Sequence, residues 1–377
     1  MKLKNSLQWI ELSESALRHN VSLVRSFCKP GVILGALLKA NAYGHGLLPM
    51  AELYRRSGVS LFLVHSFQEA WTLHQNGFHE RLILIGPQSE EELAHSLKHG
   101  FEITTYNEET LKILLRLQKK IKKPAHLHVK IETGTYRQGL EPKAIPAFAA
   151  LLKRVKHELK GFSSHFANIE DTADTAYYQK QLSIFKKAVH AFEKQGVCAE
   201  ELHIACSAAV LLYRETQLDI VRPGIALYGY SPSPELAYAL KLPEPLKPVL
   251  SWRTRLCQIK NVPEGDSVGY GLTFKTRRPT RLGLLPIGYY DGFDRKLSNL
   301  GFALIRGKRA PVLGRVCMNL TMLDVTDIPE ATLNDTVTLI GTDGSETITA
   351  DHLASSVNTI AYEILARLNP LIPRIIV

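Results

Sequence analysis

Short apolar runs alternate with longer stretches of helical periodicity in the part of the chain before Ser231. Eight of the runs are predicted to be buried parallel strands, because each is short and mostly separated from the next by an amphipathic segment. The eight runs are Val32–Lys39, Leu61–His65, Leu82–Ile85, Phe101–Thr104, Leu127–Glu132, Gly161–His165, Leu202–Cys206 and Ile220–Arg222. The predicted helices include Ser13–Phe27, Glu108–Leu117, Ile145–Lys156 and Tyr177–Glu193. Eight such units are the number that closes a TIM-type (β/α)8 barrel.

The pattern changes after the proline-rich passage Ser231–Pro248. Alternating, β-branched runs follow, and turn signals separate them. These runs are Leu250–Val262, Leu282–Ile287, Ala303–Ile305, Val312–Val325 and Thr336–Ile340, with one helix predicted near Asp351–Arg367. The chain is therefore predicted to be an α/β protein in which a barrel domain, residues 1–240, is followed by a mainly β domain, residues 241–377.

Composition narrows the class of protein. The 377 residues are 45% hydrophobic and 22% charged, as expected for a globular protein with a large core. We find neither a bilayer-length apolar segment nor a signal-peptide core, and the five scattered cysteines contain no CxxC pair. We therefore expect a cytoplasmic protein without disulfides, a zinc ribbon or another metal site.

The formal net charge of +10 raises the question of nucleic-acid binding. The densest basic run, Lys119–Lys123, stands just before Pro124, where a predicted helix ends. Lysines at that position complement the helix dipole and keep the surface solvated. No aromatic residues are interleaved with them to stack on bases, so we expect no nucleic-acid partner.

Polar residues of unusual type stand where the predicted barrel strands end. A barrel of this class places its functional site at the carboxyl ends of the strands. The candidates in chain order are Lys39, Lys130, Arg137, His165, His203, Ser207, Arg222 and Gly224. Taken alone, Lys39 is better explained as a lysine whose amine reaches solvent, although a desolvated amine that forms a Schiff base is the alternative.

A phosphate site is a second candidate at the same rim. Ser207 and the backbone amides of Gly224 and Ile225 offer donors where such barrels often bind phosphate. An ordinary turn explains these residues equally well. The combination of Lys39, this loop and Arg222 on one barrel rim strengthens the functional interpretation.

Several segments resemble motifs of the alanine racemase family, in the same order and across essentially the whole chain. Leu38–Gly46 closely resembles the family's cofactor-lysine motif. Further resembling segments are Lys130–Arg137, Ser164–Ala167, Val221–Gly229, Val268–Gly271, Pro286–Gly292, Gly314–Met318 and Ile360–Ile364. The resemblance implies a fold-type III enzyme that binds pyridoxal 5'-phosphate. It also implies a head-to-tail homodimer whose sites are shared between subunits.

The resemblance further implies an activity and two catalytic bases. The expected reaction is the interconversion of L-alanine and D-alanine, which supplies D-alanine for bacterial peptidoglycan. Lys39 would hold the cofactor and act as one base, and Tyr270 of the partner subunit would act as the other. His165 would hydrogen-bond to that tyrosine. Arg222, supported by His203, would contact the pyridine nitrogen and so limit transamination.

The remaining roles also follow from the resemblance. Arg137 would contact the cofactor's phenolic oxygen and the substrate carboxylate, which the backbone amide of Met318 would also bind. Tyr289 and Tyr362 would narrow the entrance, and Lys130 matches a lysine that is carbamylated in some members. The phosphate would be bound by Tyr43, Ser207, Gly224, Ile225 and Tyr362.

The chain departs from the family pattern at several positions, and related functions remain as alternatives. The departures are Glu132, Thr135, Tyr136, Cys206, Gly269 and Asn319. A racemase acting on serine, lysine or a broad set of amino acids is the nearest alternative. A fold-type III decarboxylase lacks the Arg222 pattern, and a non-catalytic pyridoxal-phosphate homeostasis protein lacks the second domain that carries Tyr270.

Overall fold

The computed structural model describes residues 6–170, 174–239 and 242–377. The chain divides into two compact units. The barrel unit comprises Leu17–Ala40 and Met50–Lys247, and the β unit comprises Asn41–Pro49, Pro248–Val377 and the N-terminal segment that ends at Ala16. The boundary predicted near residue 240 did not assign the two N-terminal segments to the second unit.

The barrel unit contains an eight-stranded parallel sheet. The chain enters through strand β1 (Gln8–Leu12), which belongs to the other unit, and helix α1 (Glu14–Phe27). The barrel strands are β2 (Ile33–Leu37), β3 (Leu61–Val64), β4 (Arg81–Leu84), β5 (Glu102–Thr105), β6 (Ala125–Lys130), β7 (His157–Ser163), β8 (Glu201–His203) and β9 (Ile220–Val221). Their order is β8-β7-β6-β5-β4-β3-β2-β9, so the predicted strand count and succession are confirmed.

Backbone hydrogen bonds close the sheet into a barrel. β9 pairs in parallel with β2, and on its other side the amide of Asp219 donates to the carbonyl oxygen of Leu202 at 3.0 Å. The amide of Arg222 donates to the carbonyl oxygen of Ala205 at 2.9 Å. Since all eight strands run in one direction, their carboxyl ends lie at one rim.

Helices lie between the barrel strands along the chain, and the last of them, α10, follows β9. They are α2 (Lys39–Tyr43), α3 (Leu47–Arg56), α4 (Phe67–Gln75), α5 (Glu90–His99), α6 (Glu108–Ile121), α7 (Ile145–Leu152), α8 (Ala176–Lys194), α9 (Ser207–Leu212) and α10 (Pro234–Ala239). Short 3-10 turns cover Pro142–Ala144, Arg214–Thr216 and Ile225–Tyr228. Ser66 and Ser89 each form a capping box with a glutamate three residues later, which satisfies amides at the starts of α4 and α5. α6 ends at Lys122 in a left-handed conformation, so the basic run does lie at a helix end.

The β unit is mainly antiparallel sheet. Its remaining strands are β10 (Leu250–Arg255), β11 (Gln258–Val262), β12 (Ser267–Val268), β13 (Phe274–Lys275), β14 (Thr280–Leu285), β15 (Phe302–Ile305), β16 (Lys308–Leu313), β17 (Thr321–Asp324), β18 (Thr336–Asp343), β19 (Glu346–Ile348) and β20 (Arg374–Ile376). The main sheet has the order β11-β14-β17-β16-β15-β18-β10-β1-β20, with β19 paired to β18. Short 3-10 turns cover Tyr270–Leu272 and Arg295–Leu297.

The helix predicted near Asp351–Arg367 is two helices. α11 (Ala350–Val357) starts at a capping box in which Thr349 accepts from the amide of His352. It ends because Asn358 adopts a left-handed conformation with a φ of 58°. α12 (Ala361–Ala366) follows. Among the described residues, no helix combines the length and apolarity that crossing a membrane requires.

Candidate active site

Lys39 lies two residues after the last residue of β2, at the carboxyl rim of the barrel. The preceding amide, that of Leu38, still donates to the carbonyl oxygen of Leu63 at 2.8 Å, so the strand position of the lysine is well defined. Burial is the main cause that lowers the pKa of Lys39, and the guanidinium groups of Arg137 and Arg222 lower it further. The negative charge of Glu69 opposes this shift and raises the pKa by a smaller amount. A larger share of this amine is therefore neutral and nucleophilic than of an exposed lysine.

The segment after Lys39 forms a left-handed turn. Each residue of Ala40–Tyr43 has a φ of 53–54°, which costs free energy for residues that carry a Cβ. The turn is held by the amide of Leu47, which donates to Oδ1 of Asn41 at 2.8 Å. It continues into Gly44, where a Cβ would collide with the carbonyl oxygen of Leu365. Strained backbone of this kind concentrates at functional sites.

Arg222 follows β9 and is buried at the same rim. Its Nη2 donates to the carbonyl oxygens of Ser164 at 2.5 Å and of Ile204 at 3.4 Å. Its Nε is buried without a hydrogen-bond partner. Burial lowers the pKa of Arg222 to about 10, so the group remains a cation at neutral pH. A buried donor left without a partner indicates that an acceptor belongs opposite it.

Lys130, at the end of β6, shares this cationic environment. Burial, followed by the charges of Arg222 and Arg137, lowers the pKa of Lys130 to about 7, while Glu132 opposes the shift. Its Nζ donates to Oε1 of Gln138 at 3.1 Å. About half of this amine is therefore neutral near pH 7.

His165 follows β7 and is half-buried. Burial and then the positive charges of Arg222 and Arg137 hold the pKa of His165 well below its usual range, so the ring is neutral at pH 7. Its carbonyl oxygen accepts from Oγ1 of Thr135 at 2.9 Å and from Nε2 of Gln181 at 3.2 Å. The rim thus combines a neutral imidazole with four basic side chains, those of Lys39, Lys130, Arg137 and Arg222.

The predicted phosphate residues form two groups. In the barrel unit, Oγ of Ser207 accepts from the amides of Gly224 at 2.9 Å and Ala226 at 3.3 Å, so the structure brings these loops together. In the β unit, the rings of Tyr43 and Tyr362 lie with centroids 6.0 Å apart.

The predicted second base lies in a pocket of the β unit with a volume of about 470 Å³. Tyr270 is 72% exposed in this single chain. The side chains that line the pocket include Tyr270, Tyr289, Arg295, Arg315, Met318 and Asn319. The structure therefore brings Tyr270, Tyr289 and Met318 together, as their predicted roles require.

Two of the departures from the family pattern, Gly269 and Tyr136, stand at positions with a positive φ. Gly269 has φ 77° and ψ −173°, a conformation that is essentially restricted to glycine, so a serine there would be strained. Tyr136 has a φ of 51° and is 88% exposed, although the family has glycine at this position. A third departure, Cys206, is buried, and burial followed by the charge of Glu170 raises the pKa of the thiol to about 12, which makes it a poor nucleophile.

Some residues of the two sites were not predicted. Gln138 follows Arg137 directly, and Arg315 stands within the Gly314–Met318 segment, so both were adjacent to recognised motifs. Arg295 lies in no recognised segment, and only folding brings it to the pocket of Tyr270.

The family models "Alanine racemase, N-terminal domain" and "Alanine racemase, C-terminal domain" match residues 12–232 and 249–376. The chain is 39% identical to an alanine racemase of Leptospira interrogans over 375 residues, covering 98% of this chain and 95% of that protein. It is 35% identical to an alanine racemase of Halothermothrix orenii over 367 residues, covering 97% and 96%.

Solved structures of amino-acid racemases are also similar to this chain over its whole length. The alanine racemase from Bacillus anthracis with bound L-Ala-P has a TM-score of 0.94 and 31% identity, covering 100% of this chain and 96% of that one. A histidine racemase from Leuconostoc mesenteroides has a TM-score of 0.89 and 26% identity, covering 100% and 99%. On the fold, the rim residues and these similarities, the chain belongs to the alanine racemase family of amino-acid racemases.

Proposed function

We propose that this protein interconverts L-alanine and D-alanine with pyridoxal 5'-phosphate bound at the barrel rim. The observation that carries the proposal is that one barrel rim contains both a desolvated lysine, Lys39, and a buried guanidinium, that of Arg222, whose Nε has no hydrogen-bond partner. A pyridine nitrogen supplies the acceptor that this donor lacks, and an aldehyde is the natural partner of a nucleophilic amine.

The donor set fits the cofactor. Lys39 would hold it covalently, Arg222 would face its ring nitrogen and Arg137 its phenolic oxygen. The residues proposed for the phosphate are Tyr43, Ser207, Gly224, Ile225 and Tyr362. When bound, the cofactor withdraws electrons from the substrate and makes the Cα–H bond more acidic.

Arg222 sets the character of the reaction. A guanidinium is a donor that stays protonated, so it disfavours a proton on a ring nitrogen placed opposite it. The electron demand on the substrate is then moderate, which favours return of a proton to Cα over transamination.

Two bases on opposite faces of Cα are needed to invert its configuration. Nζ of Lys39 is one, and Oη of Tyr270 of the partner subunit is the other. A phenol is a weak base at neutral pH unless neighbours stabilise its charged form, and His165 is the neighbour we assign. The neutral state of His165 suits it to exchange a hydrogen bond with that hydroxyl.

A homodimer accounts for the exposure of the second pocket. Tyr270, Met318 and Tyr289 are 72%, 56% and 41% exposed, and a contiguous group of large exposed side chains marks an interaction surface. We assign this surface to a second copy, so that each barrel is completed by the partner's β unit. The protein would act in the cytoplasm and supply D-alanine for peptidoglycan.

Lys130 is proposed to be carbamylated. Its pKa of about 7 leaves a neutral amine that can attack CO2, and the resulting carboxylate would pair with Arg137 instead of repelling it. A bicarbonate-dependent ¹³C carbamate signal, absent in Lys130→Ala, is the expected result. Electron density that ends at a bare Nζ would reject carbamylation.

Another amino-acid substrate is the second candidate. The likeness to a histidine racemase and the neutral Asn319 in the pocket lining motivate it. Tyr289 and Tyr362, proposed to narrow the entrance, favour a small side chain. Initial rates across a panel of L-amino acids decide, and faster turnover of histidine, serine or lysine than of alanine would replace our assignment.

The proposed function is tested by spectroscopy and chiral analysis. The purified protein should show a cofactor absorption band above the protein bands and convert L-alanine to a racemic mixture. Lys39→Ala should lose both, whereas Lys186→Ala, which changes an exposed lysine of α8, should keep both. An unchanged band in Lys39→Ala would contradict the role of that amine.

A further inference from the structure

The left-handed turn that follows Lys39 belongs, from Asn41 onwards, to the β unit of the chain. Within the turn, the amide of His45 donates to the carbonyl oxygen of Ala42 at 3.0 Å. The amide of Gly46 donates to the carbonyl oxygen of Asn41 at 2.9 Å. Residues with a Cβ pay a cost in free energy for a positive φ, so a turn of this kind persists only where the surrounding structure enforces it. Contacts from distant segments are therefore needed.

One such contact is made by Arg374, the first residue of the last strand, β20. Its Nη2 donates to the carbonyl oxygen of Gly44 at 2.7 Å, across 330 positions of the chain. Its Nη1 donates to the carbonyl oxygens of Asn369 at 2.7 Å and Ile372 at 2.5 Å, and Nη2 also lies 3.5 Å from the carbonyl oxygen of Leu368. The guanidinium is thus fixed by its own segment and connects that segment to the turn.

The charge of Arg374 strengthens this connection. Burial lowers the pKa of Arg374 to about 10, so the guanidinium stays protonated at neutral pH. The partners that the structure gives it are backbone carbonyl oxygens rather than carboxylates. Hydrogen bonds from an ionised donor are stronger than those between neutral groups. The contact with Gly44 is therefore a strong one for a single hydrogen bond.

Helix α12 contacts the same turn at two further points. The ring centroids of Tyr43 and Tyr362 lie 6.0 Å apart. A Cβ at Gly44 would collide with the carbonyl oxygen of Leu365, so the two backbones approach closely there. Packing of this kind limits how near the turn can come, whereas a hydrogen bond also fixes the direction of the carbonyl group that accepts it. Arg374 supplies that directional contact.

Direction matters at Gly44 because this residue follows Tyr43 directly. Gly44 has a φ of 78°, and glycine is the residue whose backbone is least restricted by its own sterics. Its peptide group would rotate easily without a partner. Holding its carbonyl oxygen therefore fixes the backbone at the end of the turn, and with it the direction in which the side chain of Tyr43 leaves the chain.

We propose that Arg374 is a positioning residue for the cofactor's phosphate, which keeps the turn formed and the hydroxyl of Tyr43 in place before the cofactor binds. Arg374 acts through Gly44 and Tyr43 rather than by touching cofactor or substrate. This inference rests on the proposed function, because it requires that Tyr43 binds the phosphate of pyridoxal 5'-phosphate.

The matched control is Arg281, another half-buried arginine of the β unit. Its guanidinium also donates to three backbone carbonyl oxygens, those of Ile328, Pro329 and Ala331, at 3.1, 3.0 and 2.6 Å. That loop carries no residue assigned to either site. Arg281→Met removes the same kind of contact as Arg374→Met and should leave the turn and the binding of cofactor unchanged.

The first test needs neither cofactor nor activity. In full-length protein freed of cofactor, the amides of His45, Gly46 and Leu47 should exchange slowly with solvent deuterium, since each donates within the turn. Arg374→Met should speed their exchange roughly tenfold or more, the effect of losing one hydrogen bond from a charged donor. Fast exchange in the wild type, or equal exchange in Arg374→Met and Arg281→Met, would overturn the proposal.

The second test compares two ligands that differ only in the phosphate. Arg374→Met should weaken the binding of pyridoxal 5'-phosphate roughly tenfold to a hundredfold, as expected when one charge-assisted hydrogen bond is lost, with little change for pyridoxal. Absorbance titrations of the cofactor-free protein measure both affinities. An equal loss for the two ligands, which a loosened fold would give, or no loss for either, would overturn the proposal.

A double variant tests whether Arg374 acts through Tyr43. Tyr43→Phe removes the hydroxyl that Arg374 is proposed to position. Adding Arg374→Met to Tyr43→Phe should therefore weaken the binding of pyridoxal 5'-phosphate little further, because the two changes remove one and the same interaction. Losses that multiply as if independent would contradict the proposal.

A milder variant covers a folding failure of Arg374→Met. In Arg374→Lys, one ammonium group lacks the fork that reaches Gly44 and the carbonyl oxygens of its own segment together. It should show the same selective loss for pyridoxal 5'-phosphate, and wild-type affinity and amide exchange in this variant would contradict the proposal. Failure of the proposed function is recognised separately, as a wild type whose turn amides are protected but which does not bind pyridoxal 5'-phosphate.

Discussion

Nη2 of Arg222 donates to the backbone carbonyl of Ser164 at 2.5 Å, which ties the end of β9 to the end of β7. Nε of the same guanidinium is buried and has no hydrogen-bond partner. One planar side chain can thus be anchored by one nitrogen and present another to a ligand, which the fork of a guanidinium allows and a single ammonium group does not.

Arg222→Lys should therefore lower kcat for alanine roughly a hundredfold, the loss typical when one well-placed donor is removed from a reacting site. A single ammonium cannot both bind Ser164 and face a ring nitrogen. Steady-state kinetics in both directions provide the measurement. Arg116→Lys, which alters an exposed ion pair with Glu90, should retain wild-type rates. Wild-type turnover in Arg222→Lys would show that charge alone suffices.

Tyr270→Phe should slow racemisation by roughly 10²- to 10⁴-fold, the usual contribution of a positioned acid or base, while cofactor binding is kept. With one base left, exchange of the Cα proton with solvent deuterium should persist for one alanine enantiomer and stop for the other. Proton NMR of each enantiomer in D2O measures this. Tyr290→Phe, which removes another exposed hydroxyl of the same unit, serves as the control. Exchange lost equally for both enantiomers would argue against a one-sided role.

Lys130 should make stability depend on pH. Its pKa is lowered to about 7 in the folded chain, against an ordinary 10.5, so the unfolded state binds more protons between these values. The free energy of unfolding of the wild type should therefore rise with pH across this window relative to Lys130→Met, and the difference should be constant below pH 7. Urea unfolding without bicarbonate, at several pH values, tests it. A difference that is flat from pH 7 to 10 would show that the amine is not desolvated.

Asn319→Asp should raise KM for alanine a few-fold with a smaller effect on kcat. Asn319 lines the pocket with Met318, whose amide is proposed to bind the substrate carboxylate, and a new negative charge there repels an anion. Added salt should reduce the effect. Asn261→Asp places the same charge on an exposed position of β11 and should leave KM unchanged. A lower KM in Asn319→Asp would place the carboxylate elsewhere.

Local patterns were enough to predict the barrel. Runs such as Leu61–His65 are short, apolar and bounded by turns, and a buried parallel strand is the structure that satisfies all three properties. The position of Lys39 at a strand end, and its motif, were equally local. The prediction of a single helix near Asp351–Arg367 was wrong, because Asn358 adopts a left-handed conformation that ends the first helix. The hydrophobic periodicity of the segment does not reveal the conformation of one residue.

The membership of β1 in the β unit and the chain of contacts from Glu102 through His128 to His203 came only from the folded chain. β1 pairs with β10, more than two hundred residues later in the chain. The rings of His128 and His203, whose nitrogens lie 3.0 Å apart, come from positions 75 residues apart. A periodic pattern reports which side chains avoid water, but it carries no information on which distant partners meet. Hydrogen-bond pairing, proton placement and burial of charge depend on those meetings, and so they are decided by tertiary packing.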